Sequence, residues 1–98
     1  MVRLTVVSQA PAEEVVKVEG WLAGRDVALL AEVGGRVRQR GARLVLDLAG
    51  VRSIDEKGLA LLASWAGPQL GLRRPSLFLG QVLACRHLAW EEGPEETR

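Results

Sequence analysis

Three successive charged residues, Asp55, Glu56 and Lys57, are the part of the sequence whose residue types could most readily do chemistry. Two carboxylates beside an amine could act as general acid, general base and nucleophile. The surrounding pattern, however, places them in the first turn of a helix, where successive side chains point about 100° apart. They would not converge on one reacting atom, and no second cluster of His, Cys or Asp completes a catalytic site. We therefore expect no enzymatic activity.

The other residues that could do chemistry are isolated in the sequence. Cys85 is the one cysteine of the chain, so no intrachain disulfide can form, and its apolar helical surroundings predict a buried, inert thiol. His87 lacks neighbours at metal-ligand spacing. Residues 20–24 contain Gly-x-x-x-Gly without the Lys-Ser or Lys-Thr that a phosphate loop requires. The sequence therefore predicts neither a metal site nor a cofactor.

Length and charge restrict the class of protein further. The chain has 98 residues, which is the size of one domain, and 48% of them are hydrophobic, enough for a core. The net charge of +1 does not indicate nucleic-acid binding, which usually requires a strongly basic protein. No apolar run is long enough to span a membrane, and the N-terminus does not have the pattern of a signal peptide. We expect a cytoplasmic protein with one domain over residues 1–90 and a disordered acidic tail over residues 91–98.

Strands alternate with helices along the sequence. The pattern predicts, in order, a strand hairpin over 2–8 and 14–19, a helix over 25–40 ended by Gly41, a strand over 43–48, a helix over 56–66, a short strand over 69–73 and a helix that begins at Ser76. An alternative places the last strand at 76–79 and the last helix from Gly80; we prefer the first because Ser76 is a natural N-cap. The predicted fold class is α/β, with a mixed sheet of about four strands and about three helices.

Two local features lead to more specific expectations. Residues 43–48 are strongly apolar, which is typical of a central strand covered on both faces, with Asp47 near the end of the strand. Gly34 and Gly35 lie inside the first predicted helix, where each costs about 1 kcal/mol relative to Ala. Either the helix bends there or it packs very closely on the sheet.

The stretch from Leu44 to Leu62 resembles the signature of the STAS family, the anti-sigma factor antagonist-like domains. The matching parts are the strand ending Asp47-Leu48-Ala49-Gly50-Val51, the Ile54-Asp55 pair and Gly58-Leu59. Gly20-Trp21-Leu22 is similar to the family's Gly-x-Leu, and Arg74-Pro75 to its Ser-Pro. The resemblance spans roughly residues 2–90 and implies a STAS-like arrangement of the sheet and helices.

The resemblance implies a protein switch, but this chain departs from the family at the switch itself. In the best-known group of the family, the helix start binds an anti-sigma factor that is also a kinase, and phosphorylation of a Ser or Thr just before the glycine releases it. Here Lys57 occupies that position, and Glu56 precedes it. Ala23 stands where many members carry Asp. We therefore expect no phospho-switching at Lys57; Ser53 offers a nearby hydroxyl, for which a turn or cap role is the better interpretation.

The resulting hypothesis is a non-enzymatic interaction domain that regulates a protein partner, such as an anti-sigma factor, through the loop and helix start. The predicted partner-binding residues are Arg52, Ser53, Asp55, Glu56, Lys57 and Gly58. An alternative is an accessory STAS subunit of a transporter ATPase, for lipid or anion transport. A third is a small anion bound at the helix N-terminus. The family's final strand and helix are missing from the pattern, which favours self-association, as in a homodimer.

Overall fold

The computed structural model describes residues 1–91. Its elements are β1 (Val2–Gln9), β2 (Glu13–Leu22), a 3₁₀ turn (Gly24–Asp26), α1 (Val27–Gln39), β3 (Arg43–Ile54), α2 (Glu56–Ser64), β4 (Leu70–Arg73) and α3 (Leu77–Cys85). The strand order is β1-β2-β3-β4, in which β1 and β2 form an antiparallel hairpin and β2, β3 and β4 run parallel. The predicted fold class, a mixed four-stranded sheet with three helices, is confirmed.

All three helices pack on the same face of the sheet. Leu44, Leu46 and Leu48 of β3 join residues of α1, α2 and α3 in one hydrophobic cluster. The parallel strands are added in one direction, from β2 to β4, so right-handed crossovers return every helix to the same face. β3 is therefore covered by helices on one face only, while on its other face Val45 is also fully buried, as expected of a central strand.

The opposite face of the sheet carries charged side chains in ion pairs. Val45 of β3 is fully buried on this face and lies outside the main core cluster. Asp47 lies in the middle of β3, not near its end as predicted, and its Oδ2 is 2.8 Å from Arg74 Nη2. The ion pairs around them are Arg43 with Glu13 and Glu91, Arg73 with Glu91, Arg74 with Asp47, and Lys17 with Glu19. Most of the side chains in these pairs are partly buried, so together they cover Val45 with polar groups on this face.

The two central strands extend further than the sequence pattern predicts. Residues 20–24 are predicted to break β2, yet the strand continues to Leu22, and β3 continues from residue 48 to Ile54. Gly20 allows this because it adopts φ +93°, and a Cβ atom there would lie 2.2 Å from the carbonyl oxygen of Met1. The β2–β3 register is irregular, so buried and exposed side chains do not alternate strictly in this part of the strands. A prediction based on alternation therefore ends both strands too early.

The double glycine of α1 is explained by close packing. A Cβ atom on Gly34 would lie 2.4 Å from Trp65 Cη2 and 2.9 Å from Leu44 Cδ2, whereas Gly35 has nothing within 4 Å. Gly34 therefore lets α1 approach α2 and β3 closely. Of the two expectations for the double glycine, a bend in the helix or close packing on the sheet, the structure shows close packing. Gly41 follows the helix with φ +78°, in agreement with its predicted role in ending α1.

The C-terminal part confirms the first placement of the last strand and helix. Ser76 Oγ accepts a hydrogen bond from Leu79 N at 3.1 Å and caps α3. Cys85, the last residue of α3, is exposed, so the predicted buried thiol is wrong. Trp90 follows the helix, and its ring still packs on Gly80. Glu91 forms a parallel β-bridge with Arg73, beside β4; the rest of the predicted tail lies outside the described residues.

Replacing Gly34 by Ala should destabilise the protein, although Ala is the better helix former. The added methyl group meets the indole of Trp65, so we expect the free energy of unfolding to fall by about 1–3 kcal/mol. Gly35→Ala is the matched control, because the same change in open space should raise stability by about 0.4–1 kcal/mol. Urea unfolding of both variants measures the difference, and equal effects at the two positions would contradict the packing described.

Candidate functional site

The predicted binding loop lies where the ends of β2 and β3 meet the start of α2. Trp21 pairs with Ser53 and Leu22 with Ile54 in the parallel ladder. The backbone N–H of Asp55 then donates to the carbonyl oxygen of Leu22 at 3.3 Å. The loop is thus fixed to the neighbouring strand over its whole length up to the helix.

Asp55 connects three segments through one carboxylate. Its Oδ1 accepts from Gly58 N at 2.9 Å, which confirms the predicted N-cap of α2. Its Oδ2 accepts from Gly24 N at 2.8 Å and so holds the turn between β2 and α1. The hydrogen bond from Gly24, then that from Gly58, lowers the pKa of the Asp55 carboxyl below its ordinary value.

This carboxylate weakens the case for a small anion at the helix start. The amides of Gly24 and Gly58 that would hold an external anion already donate to Asp55. An anion approaching them would also meet the negative charge of the carboxylate. The Asp55 carboxylate thus takes the place that an external anion would occupy at the N-terminus of α2.

Gly58 lets α2 start close against the strand ends. A Cβ atom there would lie 2.8 Å from Ile54 Cγ1 and 2.8 Å from the carbonyl oxygen of Leu22. Gly58 is buried, so it would not touch a partner directly. Its role in a binding surface would be to set the position of α2. The glycine matched in the sequence therefore has a direct steric explanation.

Four of the predicted partner-binding residues present exposed side chains: Arg52, Ser53, Glu56 and Lys57. Asp55 is partly buried, and Gly58 is buried. The carboxylate of Glu56 forms a close ion pair with Arg86, at the end of α3, and so links α3 to the helix start. That these residues bind a partner remains a prediction.

Sequence reasoning missed three residues of this region: Trp21, Gly24 and Arg86. Trp21 is 58% exposed and lies beside Ser53 only because of the register between β2 and β3. Gly24 and Arg86 reach Asp55 and Glu56 from 31 and 30 residues away in sequence. The resemblance of residues 20–22 to the family's Gly-x-Leu could have drawn attention to Trp21. The roles of Gly24 and Arg86 depend on tertiary contacts that the sequence does not reveal.

Two broader features of residues 1–91 bear on function. Within that range, no helix has both the length and the apolar content needed to cross a membrane. The same residues hold no cluster of three or more His, Cys, Asp or Glu side chains that could bind a metal ion.

Removing the Asp55 carboxylate should destabilise the protein in a pH-dependent way. Because the pKa of this carboxyl is lower in the folded protein than its ordinary 3.8, its stabilisation is complete above about pH 4. That stabilisation is lost as the pH falls through the lower folded-state pKa. We expect Asp55→Ala to lower the Tm by several degrees at pH 7 and by much less near pH 2. Thermal melts across this pH range measure the effect.

Glu32→Gln is the control for this experiment, because it removes an exposed carboxyl on α1 that caps no helix. It should leave the Tm within about a degree of the wild type at every pH. A loss of Tm in Asp55→Ala that does not change with pH would contradict the role given to the ionised carboxylate.

Comparison with known proteins agrees with this geometry. The family model described as "Mlab, STAS domain" matches residues 5–88. No curated protein matches the chain. Among solved structures, the anti-sigma factor antagonist SpoIIAA in its unphosphorylated form superposes with a TM-score of 0.72 at 19% identity, over 98% of this chain and 90% of that chain. At that identity the likeness concerns the fold, whereas the family match covers most of the sequence. The chain therefore belongs to the STAS domain family.

Proposed function

We propose that this chain is a non-enzymatic protein-binding domain that regulates a partner in the manner of an anti-sigma factor antagonist. The observation that carries the proposal is a rigid helix start with exposed charges. Asp55 and Gly58 fix the start of α2 against the strand ends, while Arg52 and Lys57 project into solvent. A surface whose backbone is already ordered loses little entropy when a partner binds.

Binding through this surface would not be switched by phosphorylation at position 57. Lys57 has an ammonium group where the family's switch has a hydroxyl, so it cannot form the phosphate ester that releases the partner. Ser53 is exposed, but its backbone lies in β3 opposite Trp21, which supports a strand role. The proposed antagonist therefore binds its anti-sigma factor constitutively, in the cytoplasm.

The alternative, an accessory subunit of a transporter ATPase, draws support from a second surface. Leu77 and Phe78 at the start of α3 are 82% and 62% exposed. A groove of about 230 Å³ beside them is lined mainly by apolar groups, including Pro75, Gly80 and Trp90. Permanent subunit interfaces are larger and more apolar than transient ones, so this surface suits a lasting assembly better than a switch.

Lys57→Glu is the variant that tests the proposed surface. The substitution reverses the charge at the first turn of α2, where a partner selected to fit a cation would meet a carboxylate. We expect affinity for the partner to fall about tenfold or more while the Tm stays nearly unchanged. The measurement is an affinity pulldown from the native cell with both proteins, followed by calorimetry with the purified partner.

Arg36→Glu on α1 is the matched control, because the Arg36 side chain is 68% exposed and its one ion pair within residues 1–91 is the i,i+4 pair with Glu32. Capture of an anti-sigma factor by wild type and Arg36→Glu, but not by Lys57→Glu, would support the antagonist. Capture of a transport ATPase would support the accessory subunit. Equal capture of every partner by Lys57→Glu would show that this surface is the wrong one.

A further inference from the structure

We infer that Trp21 is the apolar anchor of the binding surface and that the partner inserts an acidic segment bearing an apolar side chain against it. The inference rests on the proposed function, because it names the partner chemistry for the same surface. It joins two independent observations: an exposed indole on the strand that pairs with the binding loop, and exposed cations of the same region that form no ion pair within residues 1–91.

Trp21 is exposed although a neighbouring residue of the same strand is fully buried. Leu22 enters the core, whereas the Trp21 side chain is 58% exposed. The two other tryptophans, Trp65 and Trp90, are partly buried and pack against the core. Leaving so much apolar area of an indole in water is unfavourable, and tryptophan is enriched among the residues that dominate binding energy.

The position of Trp21 places it in the predicted binding loop. Its Cα pairs with that of Ser53, so the backbone of Trp21 lies beside the segment of β3 that holds Arg52 and Ser53. Its backbone N–H donates to the carbonyl oxygen of Met1 at 3.1 Å, which orders the strand on the other side. The indole is thus presented on backbone that is hydrogen-bonded from both directions.

The charges near Trp21 leave positive groups available to a partner. Arg25 and Arg52 are exposed and form no ion pair within residues 1–91. Two of the nearby acids have a cationic partner, since Glu56 pairs with Arg86 and Asp26 lies 3.6 Å from the Met1 nitrogen. Asp55 keeps its negative charge, but its carboxylate is partly buried and accepts from two backbone amides.

Lys57, in the first turn of α2, adds a third exposed cation to the same region of the chain. An exposed indole in a region with exposed cations fits a segment that combines carboxylates with an aromatic or aliphatic side chain. Such a segment gains charge complementarity at its edges and apolar contact at its centre.

Selection from a displayed library of random peptides on the immobilised full chain tests this inference without a known partner. We expect the enriched peptides to combine Asp or Glu with an aromatic residue or Leu. A synthetic peptide of the enriched sequence should bind more weakly at high salt. Its affinity should fall about tenfold or more in Trp21→Ala and in Arg52→Glu. Binding should also shift the tryptophan emission of wild type but not that of Trp21→Phe.

Leu29→Ala is the matched control, because it removes an exposed apolar side chain from α1 instead of β2. Unchanged affinity in that variant supports the assignment to Trp21. The inference is overturned if no peptide is enriched, if the enriched peptides lack acidic residues, or if Trp21→Ala binds as well as wild type. Failure of the proposed function is seen separately, since it appears as full partner capture by Lys57→Glu in the pulldown.

Discussion

The Asp55 carboxylate is the contact on which the candidate surface depends. One oxygen caps α2 and the other holds the turn that leads from β2 into α1. Gly24 and Gly58 are distant in sequence. By binding both, the carboxylate fixes the ends of β2 and β3 relative to the start of α2. Its lowered pKa has the same origin, because the amides that position it also favour its ionised form.

A second constraint is the one-sided sheet. Adding the parallel strands in a single direction puts every helix on one face, and the other face is left to ion-paired charges with Val45 beneath them. The core is therefore a single layer between sheet and helices, and close contacts such as Gly34 on Trp65 are needed to make it dense. The same arrangement leaves the loop edge of the sheet open to a partner.

The candidate site divides into residues that fix the backbone and residues whose side chains are exposed. Asp55 and Gly58 belong to the first group, and both match the family signature. Trp21, Arg52 and Lys57 belong to the second, and Lys57 departs from the family at the usual phosphorylation position. A domain can in this way keep its scaffold while the chemistry of its partner changes, as loops on a rigid support commonly do.

Local patterns correctly predicted the order of strands and helices, the caps at Asp55 and Ser76, and the end of α1 at Gly41, because these depend on neighbouring residues. The stretch from Leu44 to Leu62 also indicated the family. The folded chain was needed to show that Asp55 also binds Gly24, that Glu56 pairs with Arg86, and that Trp21 lies beside Ser53, since each of these contacts joins distant segments. The exposure of Cys85 and the position of Asp47 within β3 were mispredicted for the same reason. Local patterns report how apolar a segment is, whereas the register and the side on which the helices pack decide what each side chain meets.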